Sequence, residues 1–464
     1  MATTLPAPPI ERACFWLARQ PAEAGEALAG EQQADIVIVG AGLTGLWSAI
    51  HLLTLEPGLK VAVVEAERVG YGASGRNAGI LSDTIDHSHA LAIDHFGIDE
   101  ARRLAALGRS NLTELIGFLQ ARGIDCDLER SGILTTALSP EQRIGLEASL
   151  KSARELGVDD WRLLSAEETR AEIHSDLYQG ALFNPAGGVL DPVSLINGLA
   201  REARRLGARI FEQSAVLSLE RAGSGMRLRT AGGTLRAKRC VLGMSAYTHL
   251  LVPRAKHRFL PLFDYVLVSE NLTAAQRETI GWHKRQGVSD ARSFFNYYRL
   301  TDDDRILWGT SEAAYYPPNR VDRGCDHSAQ HYAELKTSFI EHFPALRELE
   351  FPWAWGGAIC ATTRFSPFFG RALGGRVLYG LGFTGHGLGT THLAGKILAH
   401  LALRRDSELL NLKLVRELPF PYPPEPIRRW AVGQVSRALR RVDRGEPPNL
   451  LLRCLDALGI GLSS

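Results

Sequence analysis

Apolar residues change their spacing at a few points along the chain, and those changes outline its elements. Asp35-Ile36-Val37-Ile38-Val39 is an apolar run of strand length. Glycines follow at once, then residues 43–55 with helical spacing, then a second strand-like run at 59–65. A strand, helix and strand within about 30 residues form a crossover unit, which sets the second strand parallel to the first. Further on, 99–120 reads as helix and 128–138 as strand. Pro192 opens a helix to residue 206, Gly207 stops it, and 209–213 is the strand behind it. Two strands flank the turn Ala231-Gly232-Gly233, and 239–243 is another sheet strand. Residues 255–350 differ, with strands at 265–268, 294–300 and 305–309 suited to an antiparallel sheet. A strand at 377–380, a glycine-rich turn and a helix at 390–403 return to the opening pattern.

Composition narrows the class. The 464 residues are 45% hydrophobic and 22% charged with 46 glycines, the profile of a globular α/β chain long enough for two joined domains. Fifty-three basic residues against 51 acidic ones leave no global field to draw nucleic acid. Cysteines at 14, 126, 240, 325, 360 and 454 are scattered, which indicates neither a metal cluster nor a disulfide framework and suits a reducing, cytoplasmic compartment. Near the N-terminus Glu11, Arg12 and Arg19 surround Phe15-Trp16-Leu17, unlike an export signal. No run approaches the roughly 20 apolar residues of a membrane span.

Three glycine-rich constellations carry chemistry. The first, Gly40-Ala41-Gly42-Leu43-Thr44-Gly45, joins strand to helix, with Glu65 at the end of the next strand. Gly40 permits the turn, Gly42 lets a pyrophosphate approach the backbone, Gly45 lets helix pack on strand, and Glu65 followed by Ala66 receives a ribose. The second, Gly70-Tyr71-Gly72-Ala73-Ser74-Gly75-Arg76-Asn77-Ala78-Gly79, follows directly. A nicotinamide domain continues into a helix here, whereas this segment suits a long diphosphate and a flavin ring, so FAD is the expected cofactor. The third, Gly380-Leu381-Gly382-Phe383-Thr384-Gly385-His386-Gly387-Leu388-Gly389, leads into the distant helix at Thr390. Exposed N–H groups there stabilise the charge that reduced flavin gathers at N1 and C2=O. His386 is either a proton-transfer group or a packed structural histidine.

Together with Tyr297-Tyr298-Arg299-Leu300-Thr301, Asp304-Arg305-Ile306, Trp355-Gly356 and Thr391-His392-Leu393-Ala394-Gly395-Lys396, these motifs resemble the D-amino-acid-oxidase-like FAD family over roughly residues 30–405. Pro423 to Ile427 and the basic tail after them resemble the aminophosphonate oxidoreductase group. The resemblance implies FAD, with Val216 among the residues that hold it. It also implies oxidation of the C–N bond of a small amine or amino acid to an imine, by hydride transfer to flavin N5 followed by hydrolysis. Only the neutral amine can lose that hydrogen, so a desolvated aromatic pocket helps and no dedicated strong base is required. Tyr265, Tyr297, Tyr298 and Trp355 are the pocket candidates, and Arg299 is a clamp for a carboxylate or phosphonate. Arg364 either faces the site or pairs within the framework. A 2-hydroxy acid dehydrogenase and a catalytically lapsed flavin-binding protein are the alternatives.

The expected architecture is an α/β, Rossmann-like FAD-binding domain drawn from 34–100, 181–254 and 351–405. It is interleaved with an antiparallel-sheet substrate domain, an α+β lid, from 101–180 and 255–350. A leader, 1–33, and an extension, 406–464, flank them. In the extension Val432, Val435, Leu439 and Val442 form an apolar stripe, and Arg437, Arg440, Arg441 and Arg444 another face. Such a helix either docks on the body or touches a membrane, where a quinone rather than oxygen takes the electrons.

Overall fold

The structure is a computed structural model that describes residues 8–20, 25–457 and 460. Four stretches far apart in sequence supply its six-stranded sheet, in the order Phe368–Ala372, Val377–Leu381, Arg239–Leu242, Ile36–Val39, Val61–Val64, Arg209–Phe211. Neighbours run parallel except Phe368–Ala372, which is antiparallel to Val377–Leu381. Every residue of Ile36–Val39 is buried, as a strand covered on both faces requires. Val37 and Val39 join one core, and Ile36 and Ile38 another that contains Trp47.

Helices Leu43–Leu55 and Gly387–Leu403 lie together on one side of this sheet. They meet closely because residue 395 is glycine: a Cβ there would stand 2.6 Å from the Cβ of Trp47. Helix Pro192–Arg205 starts where its sequence says it should. Asp191 accepts hydrogen bonds from the Val193 and Ser194 N–H groups at 2.8 and 2.9 Å, and Pro192 fills a first-turn position that needs no donor.

The second large sheet has nine strands among the described residues. Leu260–Val268 pairs antiparallel with Trp353–Ala361 along its whole length, and Gly180–Asn184 pairs antiparallel with Ile133–Ala137. Both Trp353–Ala361 and Gly180–Asn184 therefore belong by hydrogen bonding to this sheet, although they fall at the edges of stretches expected in the cofactor half. Gly287–Asp290 pairs parallel with Ile133–Ala137, so the sheet is mixed. Gly30–Gln33, from the expected leader, pairs parallel with Gly233–Ala237 in a small four-stranded sheet. Phe15, Trp16 and Leu17 are buried in a core shared with Trp355, so the described part of the leader is built into the body.

Helix Ile427–Val442 docks on the body. Asp443 accepts the N–H groups of Ser293 and Phe294 at 2.6 and 3.0 Å, buried Arg428 donates to Asn319 at 2.7 Å, and Arg440 pairs with Glu312. Among the described residues no helix is long and apolar enough to cross a membrane.

Gly395→Leu forces a side chain into the Trp47 backbone and is expected to lower stability by about 3 kcal/mol. Denaturant unfolding checks this against Gly117→Ala, where an added Cβ meets nothing within 4 Å.

Candidate active site

Gly40, Glu65 and Gly243 each follow the last residue of a neighbouring parallel strand. Ligands of such sheets bind at the strands' carboxyl ends, where connections leave in opposite directions. Three backbones crowd together here. A Cβ on Gly45 would stand 1.9 Å from the Gly40 carbonyl oxygen, and one on Gly243 would stand 2.8 Å from the Gly45 nitrogen; Gly40 itself has φ +99°. Gly45 therefore acts through packing, while Gly40, Gly42, Leu43 and Thr44 line a cavity of about 2020 Å³.

That cavity runs past all three glycine constellations. At its nucleotide end stand Glu65, Ala66 and Val216. The Glu65 carboxylate accepts N–H groups from Ala41 and Glu67 at 2.8 and 3.1 Å, and burial pushes its pKa up against those bonds. Gly42 caps helix Leu43–Leu55 with no side-chain bond, and Ser74 Oγ accepts the Leu43 N–H at 3.0 Å. A Cβ on Gly42 would meet that Ser74 oxygen at 2.7 Å.

The arm at residues 72–79 contributes Gly72, Ala73, Ser74, Arg76, Asn77, Ala78 and Gly79 to the lining. Its shape is fixed from beneath. Buried Arg76 donates to the Tyr71 carbonyl at 2.7 Å, to Asp326 Oδ1 at 2.8 Å and to the Gly356 carbonyl at 3.1 Å. Asn77 bridges the Ser74 carbonyl and the Gly79 N–H at 2.6 and 2.9 Å. At the third constellation Gly385, His386, Gly387, Leu388 and Gly389 line the cavity, and no side chain caps helix Gly387–Leu403. Gly385 takes φ +88°. Thr390 lies behind, within bonding distance of the Thr84 carbonyl at 3.5 Å. The His386 ring meets His87 edge-on at 4.4 Å. Burial lowers His386 to about 4 and, with His386 beside it, His87 to about 3, so both imidazoles are neutral near pH 7.

Four candidate side chains stand off the lining, and strand geometry explains two of them. Successive residues of a strand face opposite sides. On Leu260–Val268 the residues Leu260, Leu262, Asp264 and Val266 face the cavity, so Tyr265 points into the core, donating to the Cys325 carbonyl at 2.9 Å and sharing a 2.7 Å bond with the Tyr316 hydroxyl. On Asn296–Leu300 Tyr297 faces the cavity; Tyr298 lies behind, stacked on Trp308 and bonded to Tyr178 at 2.6 Å. Arg299 and Trp355 support the arm. Arg299 donates to the Leu190 carbonyl at 2.6 Å, directly under Gly79, and Trp355 Nε1 donates to the Arg76 carbonyl at 2.9 Å. Arg364 is also inside the framework, donating to the Pro367 and Leu414 carbonyls at 2.8 and 3.2 Å.

Residues that the sequence did not single out for the site complete the lining. Asp264, His87 and Gly243 are there, and the stripe Val432, Val435, Leu439 and Val442 forms part of the wall. For Asp264 the signal was available in the bulky residues Phe263, Tyr265 and Leu267, which alternate with it and mark the core face.

Two glycine-rich helix starts opening on one long cavity, with an acid at the second strand end, define a dinucleotide-dependent oxidoreductase. Residues 35–401 match the DAO family, FAD dependent oxidoreductase, and the chain belongs to that family of FAD-binding flavoenzymes. It is 34% identical to gamma-glutamylputrescine oxidoreductase of Escherichia coli (strain K12), over 84% of this chain and 88% of that one. It is 28% identical to the probable oxidoreductase OrdL of Haemophilus influenzae, over 82% of this chain and 85% of that one. Its fold matches the crystal structure of glycine oxidase from Geobacillus kaustophilus with TM-score 0.69 at 22% identity, covering 83% of this chain and all of the other.

Asp326→Ala leaves the Arg76 guanidinium buried without its counter-charge. A stability loss of about 3–5 kcal/mol is expected, with a lower flavin-to-protein absorbance ratio as the arm loosens. Unfolding and absorbance spectra of the purified variant check both.

Proposed function

We propose that this flavoenzyme oxidises the C–N bond of a small amine or amino acid to an imine, which water hydrolyses. The observation that carries the proposal is the single cavity joining the three glycine constellations to a desolvated sheet face with Tyr297 and Asp264 on it. Relatives named for gamma-glutamylputrescine and for glycine support an amine nitrogen as the reacting group.

The residues present fit FAD. Gly40, Gly42, Leu43 and Thr44 line the cavity at a helix start that would hold the pyrophosphate, and Glu65, Ala66 and Val216 would take the adenosine end. Residues 72–79 would hold the middle of the cofactor, and residues 385–389, at the second helix start, would supply the positive end of a helix dipole to the charge its reduced ring gathers. The cofactor supplies a two-electron acceptor at N5. Neutral His386 and His87 shape that end of the site without adding charge, so the helix start carries the electrostatic role. The apolar stripe of Ile427–Val442 screens the chamber from water, which favours the neutral amine the reaction needs.

An anaerobic flavin-reduction screen over polyamines, D-amino acids, N-methyl amino acids and aminophosphonates tests the proposal. Bleaching of the yellow holoenzyme by an amine is the expected result. Bleaching by a 2-hydroxy acid alone replaces the reading with alcohol oxidation, and no bleaching by any compound marks a lapsed flavin-binding protein. Val435→Trp narrows the outer chamber, so the half-saturating amine concentration is expected to rise several-fold while flavin content stays constant.

The acceptor is oxygen or a quinone. Exposed Leu418, Phe420, Ile427 and Trp430 beside Arg429 form an apolar, cationic rim that favours contact with an anionic bilayer and so a quinone. Peroxide yield, measured beside co-sedimentation with phosphatidylglycerol vesicles, separates the two.

A further inference from the structure

Asp264 sits between Leu262 and Val266 on the cavity face of its strand, with Gly357 opposite on Trp353–Ala361. Gly357 has no side chain to cover it. The Tyr297 hydroxyl donates to Asp264 Oδ2 at 2.6 Å, while Oδ1 is buried with no well-aligned hydrogen bond, although the residue lines the cavity. Among the described residues no cation pairs with this carboxyl; beside Tyr297, the Tyr265 backbone N–H is the one other group that favours its charge. A buried carboxylate left without a counter-charge is costly, and a ligand that brings an ammonium group relieves that cost.

We propose that the Asp264–Tyr297 pair receives the amino group of the substrate, with the Asp264 carboxylate holding the ammonium and taking one of its protons. This rests on the reading that the enzyme oxidises an amine. In the first step one N–H bond of the substrate breaks and an O–H bond forms on Asp264, which leaves a neutral amine with its lone pair free. The α-carbon then loses hydrogen with the bonding electron pair to FAD, which is reduced, and the lone pair closes the C=N bond of an iminium. Water adds to that carbon, and the products are a carbonyl compound and the released amine or ammonium. Tyr297 keeps its proton throughout and fixes the carboxyl through Oδ2, so it is a positioning residue.

Acidity supports the assignment. Burial raises the Asp264 carboxyl to about 7, against the bond from Tyr297, and an acceptor tuned near the working pH transfers protons best. Tyr297 is pushed well above its ordinary value by burial and by Asp264, so it remains a donor. The elements packed on the same strand add no competing charge change near pH 7. Cys360 on Trp353–Ala361 is raised by burial, Tyr315 is raised to about 12, and His331, against Tyr265 on the far face, is lowered by burial. Arg299 of the Tyr297 strand is turned to the Leu190 carbonyl. The sign follows: below about pH 7 Asp264 is a neutral acid and accepts nothing, and above it the carboxylate accepts, so flavin reduction accelerates through that range.

The test is anaerobic stopped-flow reduction of FAD-loaded protein by the fastest amine of the screen, from pH 5.5 to 9. Asp264→Asn is expected to keep its flavin spectrum, to slow reduction roughly 100-fold or more at pH 8, and to lose the acid limb. Tyr297→Phe removes a bond that favours the carboxylate, so its acid limb is expected to move to higher pH. An Asp264→Asn enzyme that is reduced at the wild-type rate with the same limb overturns the proposal, as does an unmoved limb in Tyr297→Phe should Asp264→Asn fail to fold. Wild-type protein reduced by no amine overturns the underlying function as well, so the two failures are distinct.

Discussion

Gly40, Gly45 and Gly243 bring three stretches of backbone to a separation that no side chain allows, and the site is arranged around that contact. It presses the turn after Ile36–Val39 against the first turn of Leu43–Leu55 and against the end of Arg239–Leu242. The helix start is thereby aimed over the strand ends, where Leu43 and Thr44 line the cavity. The same helix carries Trp47, whose backbone meets Gly395 of the far helix. One close contact at the strand ends and another at mid-helix thus set where residues 385–389 stand relative to residues 40–45, although more than three hundred residues separate them.

The arm between them illustrates a division of labour in which buried polar groups hold a shape that small residues then present. Arg76, Arg299 and Trp355 aim their hydrogen bonds at backbone carbonyls or at Asp326 and so hold the segment in place. Gly72, Ala73 and Gly79 are left on the open side with nothing bulky to intrude. A charged side chain in a motif is here a strut, and the glycines beside it are the surface that meets a ligand.

Much of the cofactor sheet was legible in the sequence because its signals are local. Ile36-Val37-Ile38-Val39, the glycines after it and Glu65 carry their meaning within one crossover unit. The substrate face was less legible because it depends on which side of a strand a residue occupies. Tyr265 and Tyr298 have the right chemistry one position away from the cavity-facing Asp264 and Tyr297, and a slip of one residue exchanges the two faces of a strand. Nor does sequence spacing reveal that Trp353–Ala361 pairs with Leu260–Val268, a contact between stretches about ninety residues apart. The apolar stripe of Ile427–Val442 was visible as a pattern, but what it covers was not.

Helix Ile427–Val442 lies beyond residue 401, where the match to the family ends. The strands and glycine clusters of the cofactor half all precede it in the chain. The wall that Val432, Val435, Leu439 and Val442 give the cavity is therefore built from sequence outside the family match, so the room's outer dimensions can change while the strands and glycine clusters at its other end stay as they are.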